Sequence, residues 1–374
     1  MSFPAETADF ANYLQRATVN EKEFLRNILQ HVQERAPVTG SPTVEEIEAK
    51  LPYIRQISSM YTAPSNLDAD GNLKLFVYWH LSSLWLIALA DLQIMALDIN
   101  AINQYLDNFV PFAKQCFRGS LDIQVEARDK VPRGSLRPYV LQRDRGRCVL
   151  TGRDAAVDAA HIWPFACLNS SKAATAMNNR WHVGMRMFGA HRAVMMNQLM
   201  SSAGDTEHIW NYITLSNDMH KCFDNGSLGL EPLHDAIPNS TIRVRVQWFM
   251  TPLGWYGQRQ FNRPVVPDSE AIRSMYAPLS HQSNTGYLDI NLYNGIVESG
   301  NVYRINCETM GNRDRMFKVL DSRWQLACVF FCAGAAGHNA EDLDKPPGPE
   351  DTNFDELGRE IPPAAYYDLY RDLC

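Results

Sequence analysis

The sequence predicts an α+β protein, and three local patterns carry this prediction. Apolar residues recur at intervals of three and four through most of residues 1–118, which predicts a helical N-terminal domain. The segment TIRVRVQWFM, residues 241–250, alternates as a β-strand does, and residues 287–306 add one or two strands. DSRWQLACVFFCAGAAG, residues 321–337, is typical of a capped apolar helix that ends at glycine. These elements form a mixed C-terminal extension, residues 236–337.

The N-terminal domain divides into helical segments separated by loops. The segments read ETADFANYLQ, NEKEFLRNILQHVQER, VEEIEAKLPYIRQI and DLQIMALDINAINQYLDNFVPF, with turn-rich breakers at residues 37–42 and 65–72. Between the last two segments, residues 75–90 form the longest uncharged apolar stretch. It falls short of the roughly 20 residues that cross a bilayer. We therefore expect a buried helix here and no membrane partner.

Composition limits the class of protein. Of 374 residues, 45% are hydrophobic and 21% are charged, which is typical of a globular protein and excludes a mainly disordered or collagen-like chain. The eight cysteines are too sparse for a disulfide scaffold. The N-terminus lacks a basic region followed by an apolar run, so no signal peptide is expected. The expected location is intracellular, in the cytoplasm or the nucleus.

Charge is unevenly distributed along the chain. Residues 341–374 carry ten acidic and three basic side chains, so their net charge of -7 equals that of the whole chain. They belong to an acidic, proline-containing tail, residues 338–374, which either keeps the protein soluble or covers a basic site as a mimic of phosphate. By contrast, residues 128–153 carry eight basic and two acidic residues. This segment is either a solvated face or a contact for nucleic acid, for which the favoured residues are Arg143, Arg145, Arg147 and Arg153.

The candidate catalytic and metal-binding residues lie between residues 135 and 232. SLRPYVLQRDRG predicts a short basic helix with Ser135 as a possible cap, and CVLTGRDAAVDAAHI predicts two short strands around a polar turn, the second closed by His161. After a long insert, residues 166–210, Asn211 precedes an apolar run, and a helix is expected to start at residues 217–218 and stop at Gly226. His220 and Asp224 share one face of that helix and can bind one divalent ion.

These pieces resemble the HNH, or ββα-metal, endonuclease superfamily. The residues that carry the resemblance are C-V-L-T-G, A-A-H-I-x-P, N-x-I-x-L and H-x-x-F-D-x-G, in that order. The insert with NNRWHVGMRMF and the block ending RWQLACVFFCAGAAG look like the fungal multidomain members. The resemblance implies that residues 119–235 form a central ββα-metal module that carries the insert.

The resemblance further implies a nuclease that hydrolyses DNA. His161 would act as the general base on water, and Asn211 would position the histidine loop. A divalent metal, Mg²⁺ or Mn²⁺, would be held by His220 and Asp224 and would stabilise the charge of the transition state. Such an enzyme is a metal-dependent hydrolase with nucleic acid as its partner.

One position departs from the family pattern and leaves an alternative open. Many members place Asp or His immediately before the base, where this chain has Ala160. Strand alternation puts Asp158 on the same face as Ala160, so Asp158 could replace the missing metal ligand, directly or through water. Otherwise Asp158 caps the turn, and the metal is bound by two residues or not at all. The rival hypothesis is an HNH-derived scaffold that serves as a binding module or acts on a small molecule; the acidic charge and the methionine-rich insert also favour it.

Overall fold

The computed structural model describes eight parts of the chain. They are residue 18 and residues 42–118, 136–234, 240–249, 264–281, 286–287, 297–333 and 335–336. The first two N-terminal helical segments, the cap at Ser135 and the acidic tail lie outside the described residues. Within these ranges helices combine with small antiparallel sheets, which confirms the α+β class.

Within residues 42–118, four helices precede the central module. They are α1 (Val44–Tyr61), α2 (Tyr78–Leu86), α3 (Leu89–Met95) and α4 (Ile99–Arg118). Helix α1 begins with a capping box, in which the Thr43 hydroxyl accepts from the amide of Glu46 at 3.2 Å and the Glu46 carboxylate accepts from the amide of Thr43 at 2.8 Å. Its apolar stripe of Ile47, Leu51, Ile54 and Ile57 is buried against the neighbouring helices.

The apolar stretch at residues 75–90 is not one helix, contrary to the sequence prediction. Helix α2 ends at Leu86, and Ile87 and Ala88 are extended, with ψ angles of 141° and 144°. Ile87 is fully buried, and the break turns α3 so that it packs against α1. Since the residues on both sides of the break are apolar, hydropathy does not indicate where α2 ends. Tertiary packing determines the position of the break.

The central module begins with helix α5 (Arg137–Arg143), as predicted. The chain leaves this helix through Gly146, whose φ of 66° is the left-handed conformation that suits a glycine after a helix end. Residues 148–151 then form a turn rather than the first predicted strand. Of residues 148–165, only Val157–His161 form a strand, β1.

The insert separates the two strands of the central hairpin. After β1 the chain forms a 3-10 turn (Phe165–Leu168), helix α6 (Ser171–Met187), helix α7 (Ala190–Leu199) and a second 3-10 turn (Ile209–Asn211). Strand β2 (Tyr212–Ser216) then pairs antiparallel with β1, and helix α8 (Asn217–Asp224) follows and packs on both strands. The predicted pairing of two strands before residue 161 is therefore wrong; the partner of β1 lies after the insert.

The methionines of the insert belong mainly to the core. Met177, Met187, Met196 and Met200 are buried within the main hydrophobic cluster. Helix α6 packs on α4, where Phe112 contacts Trp181 at a ring-centroid distance of 5.7 Å. The insert is therefore joined to the N-terminal helices by an apolar interface.

A second sheet joins the end of the central module to the C-terminal extension and is covered by a long helix. Strands β3 (Leu228–Leu233), β4 (Thr241–Trp248) and β7 (Val302–Asn306) lie in that order, all antiparallel. Helix α9 (Ser269–His281) and the short strands β5 (Gly286–Tyr287) and β6 (Val297–Glu298) lie between β4 and β7 in sequence.

The predicted C-terminal helix is present but longer than expected. Helix α10 (Met310–Cys332) starts at the N-cap Thr309, whose hydroxyl accepts from the amide of Asn312 at 3.1 Å, and not near residue 321. It packs on β3, α2 and α7, and one cluster of buried side chains runs from Ile47 to Ala336. The domain boundaries stay predictions. No helix within the described ranges is long and apolar enough to cross a membrane.

Candidate active site

His161 is the last residue of β1 and lies opposite Tyr212 in the β1–β2 pairing. Its ring centroid is 4.1 Å from that of Tyr212 and 5.7 Å from that of Phe165, so aromatic side chains cover much of the imidazole. The side chain is 17% exposed. The strand end thus holds the imidazole in a defined place that is still partly open to solvent.

A carboxylate that the sequence analysis missed contacts this imidazole. Glu207, at the end of the insert, places Oε1 2.8 Å from Nε2 of His161, and its side chain is only 9% exposed. The hydroxyl of Tyr212 donates to the same oxygen at 2.7 Å. Glu207 belongs to no motif. The signal that could have found it is the β1–β2 register, because residues just before β2 must lie near the end of β1.

Asn211 links the loop after β1 to the residues before β2. Its Oδ1 accepts from the amide of Trp163 at 2.8 Å, and its Nδ2 donates to the carbonyls of Trp163 and Thr206, both at 2.9 Å. Its own carbonyl accepts from the amide of Ile162 at 2.8 Å. The side chain is fully buried. Asn211 is therefore suited to position the loop after the histidine and is not placed to contact a substrate.

His220 and Asp224 lie one turn apart on helix α8, as the spacing predicts. Nε2 of His220 is 3.3 Å from Oδ2 of Asp224, and the two side chains are 27% and 56% exposed. Two ligand atoms that are each about 2.1 Å from one ion lie about 3.0 to 3.4 Å apart at octahedral or tetrahedral angles. The pair therefore fits two positions in the coordination sphere of a single divalent ion.

Asp158 does not complete a three-residue metal site with this pair. Its Oδ1 accepts from Nε of Arg137 at 2.8 Å and from the amide of Ala159 at 2.9 Å. Partial burial acts to raise the pKa of Asp158, but the hydrogen bonds from Arg137 and Ala159 and the charges of Arg137 and His220 outweigh it and lower the pKa. Ala160 is fully buried and offers no ligand atom.

No group of three or more His, Cys, Asp or Glu side chains in the described part of the chain is arranged to hold a metal ion. The structure therefore gives no support to Asp158 as a direct third ligand, and its part in metal binding stays a prediction. The alternative with two protein ligands, His220 and Asp224, is the one that the geometry fits.

The four candidate arginines differ in their surroundings. Arg143 is buried, and its guanidinium forms two hydrogen bonds of 2.8 Å with the carboxylate of Asp144 and one of 2.8 Å with the carbonyl of Tyr212. It holds α5 to β2 and cannot reach a phosphate, so its predicted contact with nucleic acid is wrong. Arg145 and Arg147 are exposed, and the half-buried Arg153 lies 3.6 Å from Asp218.

The segment that contains these site residues also matches a known protein family. Residues 148–231 match a family model described as HNH endonuclease. The match includes the histidine at the end of β1, Glu207, Asn211 and the pair on α8. No curated protein and no solved structure matches the chain. The resemblance to fungal members stays a prediction.

Proposed function

We propose, from the match of residues 148–231 to the HNH endonuclease family model, that the protein is a metal-dependent endonuclease that hydrolyses phosphodiester bonds of DNA. The observation that carries the proposal is the contact between His161 and Glu207 at the end of β1. A half-covered imidazole held by a nearly buried carboxylate is a suitable general base. Helix α8, which bears His220 and Asp224, packs on the same strand.

The hydrogen bonds support one assignment of the proton on the imidazole. The oxygens of an ionised Glu207 can only accept, so Nε2 of His161 would be the donor to Oε1, which also accepts from the hydroxyl of Tyr212. In that tautomer the lone pair is on Nδ1 of His161, which takes the proton from the attacking water. Positioned proton transfer of this kind contributes on the order of 10²- to 10⁴-fold.

His220 and Asp224 would hold the metal. Imidazole nitrogen and carboxylate oxygen suit Mn²⁺ or Mg²⁺, and Mg²⁺ commonly takes one or two protein ligands and completes its shell with water and phosphate oxygens. When bound, the ion supplies positive charge for the phosphoryl oxygens and the leaving oxygen. Asn211 keeps the loop after β1 attached to the residues before β2, which preserves the position of His161 relative to α8.

Arg145, Arg147 and Arg153 are the proposed contacts to the phosphate backbone. They lie between α5 and β1, in the basic segment that precedes the histidine. Lys and Arg contacts of this kind bind phosphates without reading sequence, and the affinity they supply falls as salt rises. We therefore propose low sequence specificity.

Plasmid nicking tests the proposal directly. The purified chain with Mg²⁺ or Mn²⁺ should convert supercoiled plasmid to open circles, and His161→Ala should lower the nicking rate at least about 100-fold because the general base is lost. His191→Ala is the matched control, since His191 is an exposed histidine on α7 of the insert. Nicking by folded His161→Ala at the wild-type rate would rule out the proposal.

A second candidate is an HNH-derived scaffold without nuclease activity. It is favoured by Ala160 at the usual ligand position and by the ion pair that holds Asp158 away from a metal site. This candidate predicts that the wild-type chain nicks no plasmid with any of a series of divalent ions. Nicking that depends on both the ion and His161 would exclude it.

A further inference from the structure

We infer that Glu207 is the positioning residue of the site: it fixes the tautomer and the ring orientation of His161 through the Nε2 to Oε1 hydrogen bond. The catalytic consequence rests on the proposed function, whereas the effect on the imidazole itself does not. None of the four sequence segments that carry the resemblance contains this carboxylate. It comes from the insert, which thereby contributes directly to the site.

The contact has the properties of an orienting hydrogen bond. A single oxygen, Oε1 of Glu207, lies 2.8 Å from Nε2 of His161 and accepts from the hydroxyl of Tyr212 at 2.7 Å. The Glu207 side chain is 9% exposed, so little water competes for this oxygen. A hydrogen bond to an ionised acceptor is roughly twice as strong as one between neutral groups, and partial burial strengthens it.

The backbone of Glu207 is itself held in place. Its amide donates to the carbonyl of Gly204 at 2.8 Å, and the carbonyl of the preceding residue, Thr206, accepts from Nδ2 of Asn211 at 2.9 Å. Asn211 thus fixes both the loop after His161 and the segment that carries Glu207. The carboxylate is therefore positioned before any substrate arrives, which is the requirement for an orienting group.

Glu207 acts through His161 and does not touch the substrate. Without the carboxylate, the neutral imidazole can carry its proton on either nitrogen and can rotate, so the fraction with Nδ1 available as a base falls. Loss of such outer partners typically costs about 10- to 100-fold in activity. The loss should fall on kcat and leave KM nearly unchanged, because the nearly buried Glu207 makes no contact with DNA.

The test is the nitrogen NMR spectrum of His161 in the full chain. With ¹⁵N-labelled histidine, His161 is assigned by the signal that disappears in His161→Ala, and the ¹⁵N shifts report which ring nitrogen bears the proton. Wild-type protein at pH 8 should contain His161 protonated at Nε2. Protonation at Nδ1 in the wild-type protein would overturn the inference, and so would a tautomer that stays unchanged in Glu207→Ala.

Three variants separate positioning from general stability. Glu207→Asp keeps the charge but is too short to reach Nε2, so it should lose the tautomer signature as Glu207→Ala does. Glu207→Gln keeps an acceptor oxygen and should retain the signature and most of kcat. Glu270→Ala, at an exposed position on α9, is the control and should change neither. If Glu207→Ala does not fold, Glu207→Asp and the wild-type tautomer still decide the question.

The spectrum also keeps this inference separate from the proposed function. A chain that does not nick plasmid but has a Glu207-dependent tautomer would refute the nuclease and leave the positioning role intact. If the chain nicks plasmid but Glu207→Ala leaves the His161 tautomer unchanged, the nuclease proposal stands and the positioning role of Glu207 is refuted.

Discussion

Asp158 shows the limit of strand alternation at the level of a single residue. Alternation placed this carboxylate on the expected face of β1 but did not indicate its partner. Arg137, from the helix that precedes β1, donates to the carboxylate from Nε and to the carbonyl of Val157 from an NH2 nitrogen at 3.2 Å. This partner comes from another element, so no pattern within the strand contains it.

This ion pair leads to a prediction for metal binding. Asp158→Asn should change the affinity for Mn²⁺ less than about twofold, because His220 and Asp224 are the two proposed protein ligands. Asp224→Asn should weaken binding about tenfold or more, which corresponds to about 1.4 kcal/mol for the loss of one charged ligand. Electron paramagnetic resonance titration of Mn²⁺ measures both without any substrate.

The matched control for these variants is Asp154→Asn, because Asp154 is an exposed aspartate in the turn before β1. Its Mn²⁺ affinity should equal that of the wild type. A tenfold loss in Asp158→Asn, with the control unchanged, would mean that Asp158 is a third ligand and that the two-ligand site is wrong.

Among the elements, those with local signals were predicted well. Helix α8 starts at Asn217 and ends before Gly226 as expected, and strand β4 occupies Thr241–Trp248. These features depend on caps, turns and alternation that lie within a few residues of one another. The pair His220 and Asp224 follows from the helix alone, since side chains four apart share one face.

The pairing of β1 with β2 could not be predicted in the same way. The two strands are separated by the insert, and the turn at residues 148–151 lies close enough in sequence to suggest a strand next to β1. In the structure, the amide of Val149 in this turn donates to the carbonyl of Thr214 at 2.9 Å, so the turn packs against β2 without joining the hairpin. Glu207 was missed for the same reason, because its proximity to His161 depends on this long-range register.

At the level of the whole molecule, one buried arginine connects the N-terminal helices, the central module and the C-terminal extension. Arg323 on α10 donates from NH1 to the carbonyl of Cys116 on α4 at 3.3 Å and from NH2 to the carbonyl of Phe223 on α8 at 3.1 Å. Its guanidinium lies 5.1 Å from the centre of the Phe223 ring. Burial lowers the pKa of Arg323 to about 10, so it stays charged at neutral pH. The helix that carries His220 and Asp224 is therefore anchored from the C-terminal extension.

Replacing this arginine should destabilise the whole protein. Arg323→Met keeps much of the side-chain volume but removes the donors to two buried carbonyl groups, at about 1–3 kcal/mol each. The free energy of unfolding should fall by about 2–5 kcal/mol in urea denaturation. Arg315→Met, at an exposed position on the same helix, should change it by less than about 0.5 kcal/mol. Equal stability of the two variants would contradict the anchoring role.

Chemical rescue can show whether the imidazole of His161 acts as a base. His161→Gly removes the imidazole and leaves space for an added one, while His220 and Asp224 on α8 are unchanged. We expect that His161→Gly, folded and able to bind Mn²⁺, barely nicks plasmid and regains nicking as imidazole is added, with a larger gain at pH values where the added imidazole is neutral. Asp224→Asn keeps His161, so added imidazole should not raise its rate of nicking. Nicking by His161→Gly at the wild-type rate, or a rate that imidazole leaves unchanged, would mean that His161 is not the general base.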